Sequence, residues 1–227
     1  MARRYTDELT QRDRFFFWEP PAEGPLDLSA PFGNDHPIHI EIGCGRGEFI
    51  AAKALQLPHV NFVGFEGKGK RLSAIMAKLD TERHANVRIT RIFLDEKTVK
   101  RMPPASVECI YILHPDPWPK RRHHGRRLIQ RPILDVLAWL LAPGGEVIVS
   151  TDHREYAEWI QREFAAHEAY EPLPVAPEPK NRIVTYFENK KRQEGFEPTH
   201  MHYKKGRCPD PRQTFCKKFG SKTFGGC

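Results

Sequence analysis

Apolar residues recur along the chain with two spacings, one typical of strands and one typical of helices. Runs in which they alternate with polar residues or follow one another predict β-strands, and runs with apolar residues three and four positions apart predict α-helices. The predicted strands are Ile38–Ile42, Asn61–Phe65, Val87–Phe93, Val107–Leu113, Glu146–Thr151, Arg182–Phe187 and Thr199–Tyr203. The predicted helices are Glu48–Leu57, Lys70–Arg83, Lys97–Met102, Pro132–Leu141 and Tyr156–His167. Strand and helix therefore alternate over most of the chain.

This order of elements predicts the class of fold. Strands separated by helices form parallel sheets with right-handed crossovers. The last two predicted strands have no helix between them, which adds an antiparallel edge. We therefore expect an α/β fold with a mostly parallel, seven-stranded sheet and helices on both faces. In open sheets of this kind, ligands bind at the carboxyl ends of the strands.

Three regions are predicted along the chain. Residues 1–36 form an N-terminal extension, residues 37–204 form the α/β domain, and residues 205–227 form a basic, cysteine-containing tail that is expected to be flexible. Zinc binding by His200, His202 and the tail cysteines is the alternative for the last region. Because no two cysteines there have the CxxC spacing typical of zinc sites, no metal is predicted.

Composition argues against a membrane protein and against a disulfide-rich secreted one. No apolar run approaches the roughly 18 residues of a membrane span, and the N-terminus lacks the apolar stretch of a signal peptide. Five cysteines at irregular spacing favour a reducing compartment. We expect a cytoplasmic protein without membrane contact and without an obligatory protein partner, either a monomer or a homodimer.

The positive charge is concentrated in two segments. The net charge of the whole chain is +7. Lys120–Arg131 contains six basic residues and no acidic one, and His200–Cys227 contains seven basic residues and one acidic one. Localised positive charge is typical of a surface that binds a polyanion. A basic loop and a tail that merely aid solubility are the simpler interpretation, and this is more natural for the tail than for the loop.

A glycine-rich turn follows the first predicted strand. It contains Gly43, Gly45 and Gly47, and Glu41 stands two positions before the first glycine. Glycines at such a turn let the backbone approach a ligand at the start of the next helix. The spacing differs from the dinucleotide-binding GxGxxG and resembles motif I of methyltransferases that use S-adenosylmethionine (SAM). Glu66 ends the second strand about 20 residues later, where a carboxylate can accept both hydrogen bonds of a ribose diol.

Carboxylates also follow other predicted strands. Asp95 lies just beyond the third strand, where SAM enzymes hold the adenine, and Asp152 ends the fifth. Each of these residues has an equally natural interpretation as the N-cap of the helix that follows it.

Asp116 follows the fourth strand and lies among three prolines. Each proline fixes its own φ and restricts the residue before it, so Asp116 has little conformational freedom. Trp118 is more naturally a core residue than a base-stacking one. The cations next to this acid suit a substrate with a polyanionic backbone, and the four expected to grip phosphates are Arg121, Arg122, Arg126 and Arg127.

Several segments together resemble the bacterial tRNA (guanine-N7)-methyltransferases, the TrmB family. The most specific is the run from Pro115 to His124, PDPWPKRRHH. Others are Glu41–Phe49, Asn61–Glu66, Thr151–Glu158 and Thr185–Glu188, and their order and spacing match along most of the chain. The resemblance implies a Rossmann-like, class I SAM-dependent methyltransferase.

This resemblance also implies an activity, a substrate and a set of site residues. A methyl group would pass from SAM to N7 of the guanosine in the tRNA variable loop. Asp116 would be the catalytic acid and would also contact SAM, together with Glu41, the glycine turn, Glu66 and Asp95. The residues implied to touch the substrate are Lys120, Asp152, Thr185, Tyr186, Phe187 and Glu188.

One departure from the family pattern and two alternative functions stay open. Family members often have an aromatic residue or an Asn-Phe pair where this chain has Leu113-His114. A SAM-dependent methyltransferase that acts on another RNA or on a small molecule would share the glycine turn, although a small-molecule enzyme has no use for six cations beside Asp116. A non-enzymatic RNA-binding protein would share the basic segments but would not need acids at several strand ends.

Overall fold

A computed structural model describes residues 9–175 and 183–206. The strands in these ranges are β1 (Ile38–Ile42), β2 (Asn61–Phe65), β3 (Val87–Thr90), β4 (Val107–Leu113), β5 (Leu141–Thr151), β6 (Tyr170–Leu173) and β7 (Thr199–Lys205). The α-helices are α1 (Gln11–Phe16), α2 (Glu48–Gln56), α3 (Gly69–Met76), α4 (Glu96–Val99), α5 (Arg131–Leu140), α6 (Arg154–Ala165) and α7 (Tyr186–Gln193). A 3-10 helix spans Arg121–Arg126. Within the described ranges, no helix has the length and apolar character that crossing a bilayer requires.

All seven strands form one sheet in the order β3-β2-β1-β4-β5-β7-β6. The first five strands run parallel, and β7 is antiparallel to both β5 and β6. This arrangement confirms the predicted mostly parallel sheet with an antiparallel edge. Because α2 follows β1 on one face and α5 follows β4 on the other, the chain reverses its winding direction between these two neighbouring strands.

Two hydrophobic cores fill the two faces of the sheet. Alternate residues of a strand point to opposite faces, so Ile110 and Ile112 enter one core whereas Cys109 and Tyr111 enter the other. Helices α4, α5 and α6 cover the first face, and α1, α2 and α3 cover the second. The sheet is therefore sandwiched between helices, as its order in the sequence predicts.

The described part of the N-terminal extension packs onto the sheet. Phe16 at the end of α1 is fully buried in the second core, and the backbone amide of Trp18 donates to the carbonyl of Ile89 in β3 (2.8 Å). Leu26 and Leu28 are buried in the first core. Residues 9–36 thus cover an edge of the domain through apolar packing, which is their main role in the fold.

The predicted strand Arg182–Phe187 is wrong over its described residues. The sixth strand is Tyr170–Leu173, and the segment from Tyr186 begins α7. Thr185 caps that helix, its side chain accepting from the amide of Glu188 (3.2 Å). A threonine followed three positions later by glutamate is a helix-start signature, which outweighs the β-propensity of the residues between them.

Other boundaries move by a few residues. Helix α3 ends at Met76 and β3 ends at Thr90, both earlier than the periodicity predicts. Strand β5 begins earlier than predicted, at Leu141, because Pro143 and the two glycines after it belong to the strand. Lys205 is buried at the end of β7 and donates to the carbonyl of Leu141 (2.6 Å), so it belongs to the domain and not to the tail. Residues 207–227, with the tail cysteines, lie outside the described residues.

Replacing Gly64 by alanine should destabilise the fold. A Cβ at this position of β2 would lie 2.6 Å from Sγ of Cys44 and 2.7 Å from Cδ1 of Ile89, closer than van der Waals contact allows. Overpacking of this kind costs about 1 to 3 kcal/mol, and thermal unfolding measures it. Gly125→Ala is the control, since nothing lies within 4 Å of its added Cβ. Equal melting temperatures for the two variants would contradict this account of the packing.

Candidate functional site

The glycine turn after β1 depends on backbone conformations that only glycine adopts easily. Gly43, Gly45 and Gly47 have φ of +83°, +57° and +77°, all in the left-handed region where other residues are strained. An added Cβ on Gly47 would also lie 2.9 Å from Cγ2 of Ile75 in α3. Each glycine of the GxGxG spacing is therefore needed for its own backbone conformation. The last of them, Gly47, is the N-cap of α2.

Glu66 ties this turn to the end of β2. Its side chain is almost fully buried, with one oxygen accepting from the amide of Gly45 (3.0 Å) and the other from the amide of Lys68 (2.8 Å). Arg71 approaches the same carboxylate at 3.4 Å. An ionised carboxylate has about four acceptor positions, so Glu66 keeps capacity for a ligand hydroxyl after these contacts.

Glu41 is a buried acid beneath the turn. It is 3% exposed, and among the described residues its Oε2 has no hydrogen-bond partner. Burial raises the pKa of Glu41 to about 8, from an ordinary value of 4.5. Hydrogen bonds from Cys44 and from the backbone of Ile50 offset only part of the effect of burial, so the neutral form is favoured. A cation brought to this position would favour the ionised form instead.

The segment after β4 is held in an unusual backbone conformation. His114 and Trp118 have φ of +50° and +43°, a region that bulky residues rarely adopt. Between them lie Pro115, Asp116 and Pro117, and the prolines restrict the remaining freedom. Asp116 is exposed at the tip of this segment. Strain on both sides of one acid is a feature of functional sites.

A cleft of about 380 Å³ lies where β1 and β4 diverge. It is lined by Gly43 from the glycine turn, by Asp116 and Trp118 from the segment after β4, and by Arg71 and Phe93. Trp118 is therefore a wall of this cleft, and its predicted place in the core is wrong. Asp116 and the glycine turn, which lie far apart in the sequence, meet at this cleft.

A second groove of about 530 Å³ lies on the other side of the same strand end. Phe49, Tyr111 and Ile148 form an apolar floor, and Thr185 and Glu188 lie on its wall. Leu113 and His114 line both the groove and the cleft. The two spaces thus adjoin at the end of β4.

Asp95 and Asp152 turn out to have different surroundings. The exposed Asp95 caps α4, accepting from the amide of Thr98 (2.8 Å), which confirms the capping interpretation. The N-cap of α6 is His153, so the capping interpretation of Asp152 is wrong. The carboxylate of Asp152 instead lies 3.5 Å from Nδ1 of His114.

Helix α7 brings the predicted substrate residues over the strand ends. Tyr186 and Phe187 are exposed on its first turn, and Glu188 is buried beneath them. The ring of Tyr186 lies 4.8 Å from the guanidinium of Arg46 in the glycine turn. Contact between α7 and the turn places Thr185–Glu188 next to the end of β1.

Exposed cations surround the acid on one side. Lys120, Arg121, Arg122 and Arg126 are exposed along and just before the 3-10 helix, and within the described chain none of them pairs with a carboxylate. The guanidinium of Arg126 lies 5.0 Å from the centre of the Trp118 ring. These four side chains are available to phosphate groups near Asp116.

Arg127 does not belong to this exposed set, and its predicted phosphate contact is wrong. Its side chain is fully buried, with Nε donating to the carbonyl of Pro117 (2.9 Å) and Nη2 donating to Glu155 (3.1 Å). Its guanidinium also lies 4.9 Å from the centre of the Trp159 ring. Arg127 therefore anchors the Asp116 segment to α6 from below, which charge patterning alone does not distinguish from an exposed cation.

Three residues at the site do not stand out in the sequence. Phe93 has the pattern of a strand end, yet it is 74% exposed in the wall of the cleft. Arg46 and His114 have no motif to mark them beyond their positions next to the glycine turn and the prolines. Among the described residues, no group of histidine, cysteine and acidic side chains could hold a metal ion.

The raised pKa of Glu41 predicts how stability changes with pH. The pKa of Glu41 in the folded protein (about 8) exceeds its ordinary value (4.5), so this group contributes to the free energy of unfolding while it is protonated. The contribution of Glu41 is complete below pH 4.5 and is lost as the pH rises to 8. At about 1.4 kcal/mol per pKa unit, the free energy of unfolding should fall by an amount on the order of 4 kcal/mol over this range. Chemical denaturation at several pH values, without ligand, measures the decline.

Glu41→Gln removes the titrating group and should remove this part of the decline. Glu158→Gln, in which the replaced carboxylate is exposed and lies 3.3 Å from Arg154, should keep it. A decline of equal size in the Glu41→Gln protein would show that another group causes it.

Comparison with known proteins agrees with this geometry. A family model described as "Putative methyltransferase" matches residues 35–201. A tRNA (guanine-N(7)-)-methyltransferase from Thiobacillus denitrificans is 37% identical over 73% of this chain and 74% of its own length. A protein of the same name from Halorhodospira halophila is 35% identical over 81% of each chain.

Solved structures with low sequence identity share the fold. The antibiotic-resistance methyltransferase Kmr superposes with a TM-score of 0.54 at 14% identity, over 80% of this chain and 92% of its own. A 16S rRNA (adenine(1408)-N(1))-methyltransferase variant from Catenulisporales acidiphilia, solved with SAM, gives 0.53 at 15% identity, over 78% and 90%. These likenesses identify a class I methyltransferase fold. With the cleft, the glycine turn and the extent of its match to bacterial relatives, the chain belongs to the family of tRNA (guanine-N(7)-)-methyltransferases.

Proposed function

We propose that this protein transfers the methyl group of SAM to N7 of a guanosine in tRNA, with the variable loop as the target. The observation that carries the proposal is the meeting of the glycine turn, Asp116 and the exposed cations at one end of the sheet. The cleft and the groove adjoin at His114, which lets a methyl donor on one side of the strand end approach an acceptor base on the other.

The residues at the cleft and in the adjoining ends of β1 and β2 fit SAM. Glu41 has a buried oxygen without a partner, which an ammonium group such as that of the methionine moiety would satisfy. Glu66 retains acceptor capacity for a ribose diol, and Phe93 offers an exposed aromatic face in the cleft wall. Asp95 stays a proposed contact, since its carboxylate already caps α4. When bound, SAM supplies an electrophilic methyl group on a sulfonium ion.

N7 of guanine suits a site without a strong base. N7 carries a lone pair and no proton, so it can attack a methyl group without prior deprotonation. Positive charge then develops on the purine and makes N1–H and the 2-amino group better hydrogen-bond donors. A fixed carboxylate that accepts from these groups stabilises the transition state more than the ground state. Asp116 is the carboxylate in the cleft whose backbone is held on both sides.

The exposed cations suit the RNA backbone. Lys120, Arg121, Arg122 and Arg126 follow Asp116 closely in the sequence and are exposed, and within the described chain none of them forms an ion pair. Cations of this kind contact phosphates, which positions the RNA without reading its sequence. Base-specific enzymes act on nucleotides that leave the stack, and exposed aromatic side chains on α7 can receive such a base.

Methyl transfer from labelled SAM to unmodified tRNA tests the function. We expect N7-methylguanosine in the nucleoside digest when the transcript carries the variable-loop guanosine, and none when adenosine replaces it. Asp116→Asn should still bind SAM, with at most one contact weakened, and lose roughly 100-fold in kcat, the usual size for a missing charge-stabilising group. SAM binding without methylation of any tRNA would refute the substrate assignment. Near-normal turnover by Asp116→Asn would refute the role of that acid.

The four exposed cations predict a salt-dependent affinity for tRNA. Replacing Arg121 and Arg122 together by alanine should reduce the slope of log K against log salt by about 0.7 to 0.9 for each phosphate that the variant no longer neutralises. Arg127→Met should leave the slope unchanged and lower the melting temperature, because Arg127 is buried. Filter binding at several salt concentrations measures the slopes. Equal slopes for the wild-type and the Arg121/Arg122 double variant would place the phosphate-binding cations elsewhere.

A further inference from the structure

His114 lies between two acids at the point where the cleft and the groove adjoin. Its Nδ1 is 3.5 Å from Oδ1 of Asp152, and its Nε2 is 4.0 Å from Oε2 of Glu188. The imidazole side chain is 6% exposed, and Phe187 packs against it with ring centres 5.2 Å apart. One ring thus faces a carboxylate at each of its nitrogens.

The backbone of His114 holds the ring in this position. Its φ of +50° is a conformation that costs energy for a residue with a large side chain. Its amide donates to the carbonyl of Ser150 in β5 (2.8 Å), which joins the two strand ends. Pro115 follows directly and limits further movement. The backbone therefore fixes the position from which the side chain starts, and packing against Phe187 limits the rotation of the ring.

Among the described residues, acids from three parts of the chain lie around the ring. Asp152 follows β5, Glu188 lies on α7, and Asp116 lies two residues along the same segment. On α7, Nε of Arg192 donates to Oε1 of Glu188 (3.0 Å), and the charge of Asp152 contributes to the raised pKa of Lys191. Two acids, one of them almost fully buried, would repel each other at this place unless a donor lay between them.

The edge of guanine that carries N1 and the 2-amino group has hydrogen-bond donors that these acids can accept from. Guanine presents three N–H hydrogens there, one on N1 and two on the 2-amino group. A carboxylate such as Asp116 can accept two parallel hydrogen bonds, and the second amino hydrogen then points away from it. A further acceptor beside Asp116 is needed for that hydrogen. Glu188 lines the groove at the same strand end, and Asp152 lies beside it across the ring of His114.

We propose that His114 is a positioning residue that orients Asp152 and Glu188 to accept the outward hydrogen of the guanine 2-amino group, and so sets the selectivity for guanine. This inference rests on the proposed function. An imidazole whose Nδ1–H donates to Asp152 fixes the direction of that carboxylate. The same ring and the hydrogen bond from Arg192 confine the carboxylate of Glu188 between them.

Inosine tests the inference because hypoxanthine keeps N7 and N1–H and lacks the 2-amino group. The wild-type protein should methylate a transcript with guanosine at the target more efficiently than one with inosine. His114→Asn, which tolerates a positive φ, should lower kcat/KM for the guanosine transcript roughly 10-fold, the size expected for one missing hydrogen bond to a charged group. It should leave kcat/KM for the inosine transcript unchanged. Asp152→Asn should have the same selective effect.

Controls separate positioning from folding. His167→Asn removes another buried histidine that pairs with one acid, Asp135 (3.1 Å), away from the cleft and the groove, and should leave both transcripts unaffected. SAM affinity and melting temperature should be the same in the His114→Asn and wild-type proteins. An equal loss on both transcripts, or no loss on either, would overturn the inference while leaving the proposed function intact. Failure of the wild-type protein to methylate the guanosine transcript would overturn both.

Discussion

The pairing of two parallel strands, β1 and β4, is the constraint on which the site depends. Ile40 pairs with Ile110, which brings the ends of the two strands to the same edge of the sheet. The helices that follow them lie on opposite faces, so the segments leaving the strands diverge and a cleft opens between them. The glycine turn occupies one side of that divergence and Asp116 the other. Neither segment could form the site without the other.

Much of this arrangement could be predicted from periodicity and turn chemistry. Runs such as Ile38–Ile42 and Val107–Leu113 lie close to glycine or proline and are too short for helices. The pattern therefore favours buried strands over helices at both places. Alternation of strands and helices then limits the possible topologies. Parallel strands bring their carboxyl ends to one edge of the sheet. The acids that come after these strands in the sequence could therefore be assigned to that edge before the structure was known.

The parts that could not be predicted depend on contacts between distant residues. Arg127 and Arg126 are adjacent in the sequence and equal in charge, but the aromatic rings of α6 bury one of them. Phe93 continues an apolar run and still faces solvent, because β3 ends with its last pairing partner in β2. For α7, the local capping signal is present in the sequence, but the β-propensity of Val184, Tyr186 and Phe187 favours a strand.

The position of β7 has a consequence for the order in which the chain folds. β7 pairs with both β5 and β6, although it is the last of the described strands to be synthesised. Until residues 199–205 have left the ribosome, β5 has an open edge and β6 has no partner in the described sheet. The half of the domain around β1 to β4 can assemble during translation, whereas the other half closes only afterwards. The edge of β5 that is exposed for that interval is a site for aggregation, and its protection depends on how quickly the final strand inserts.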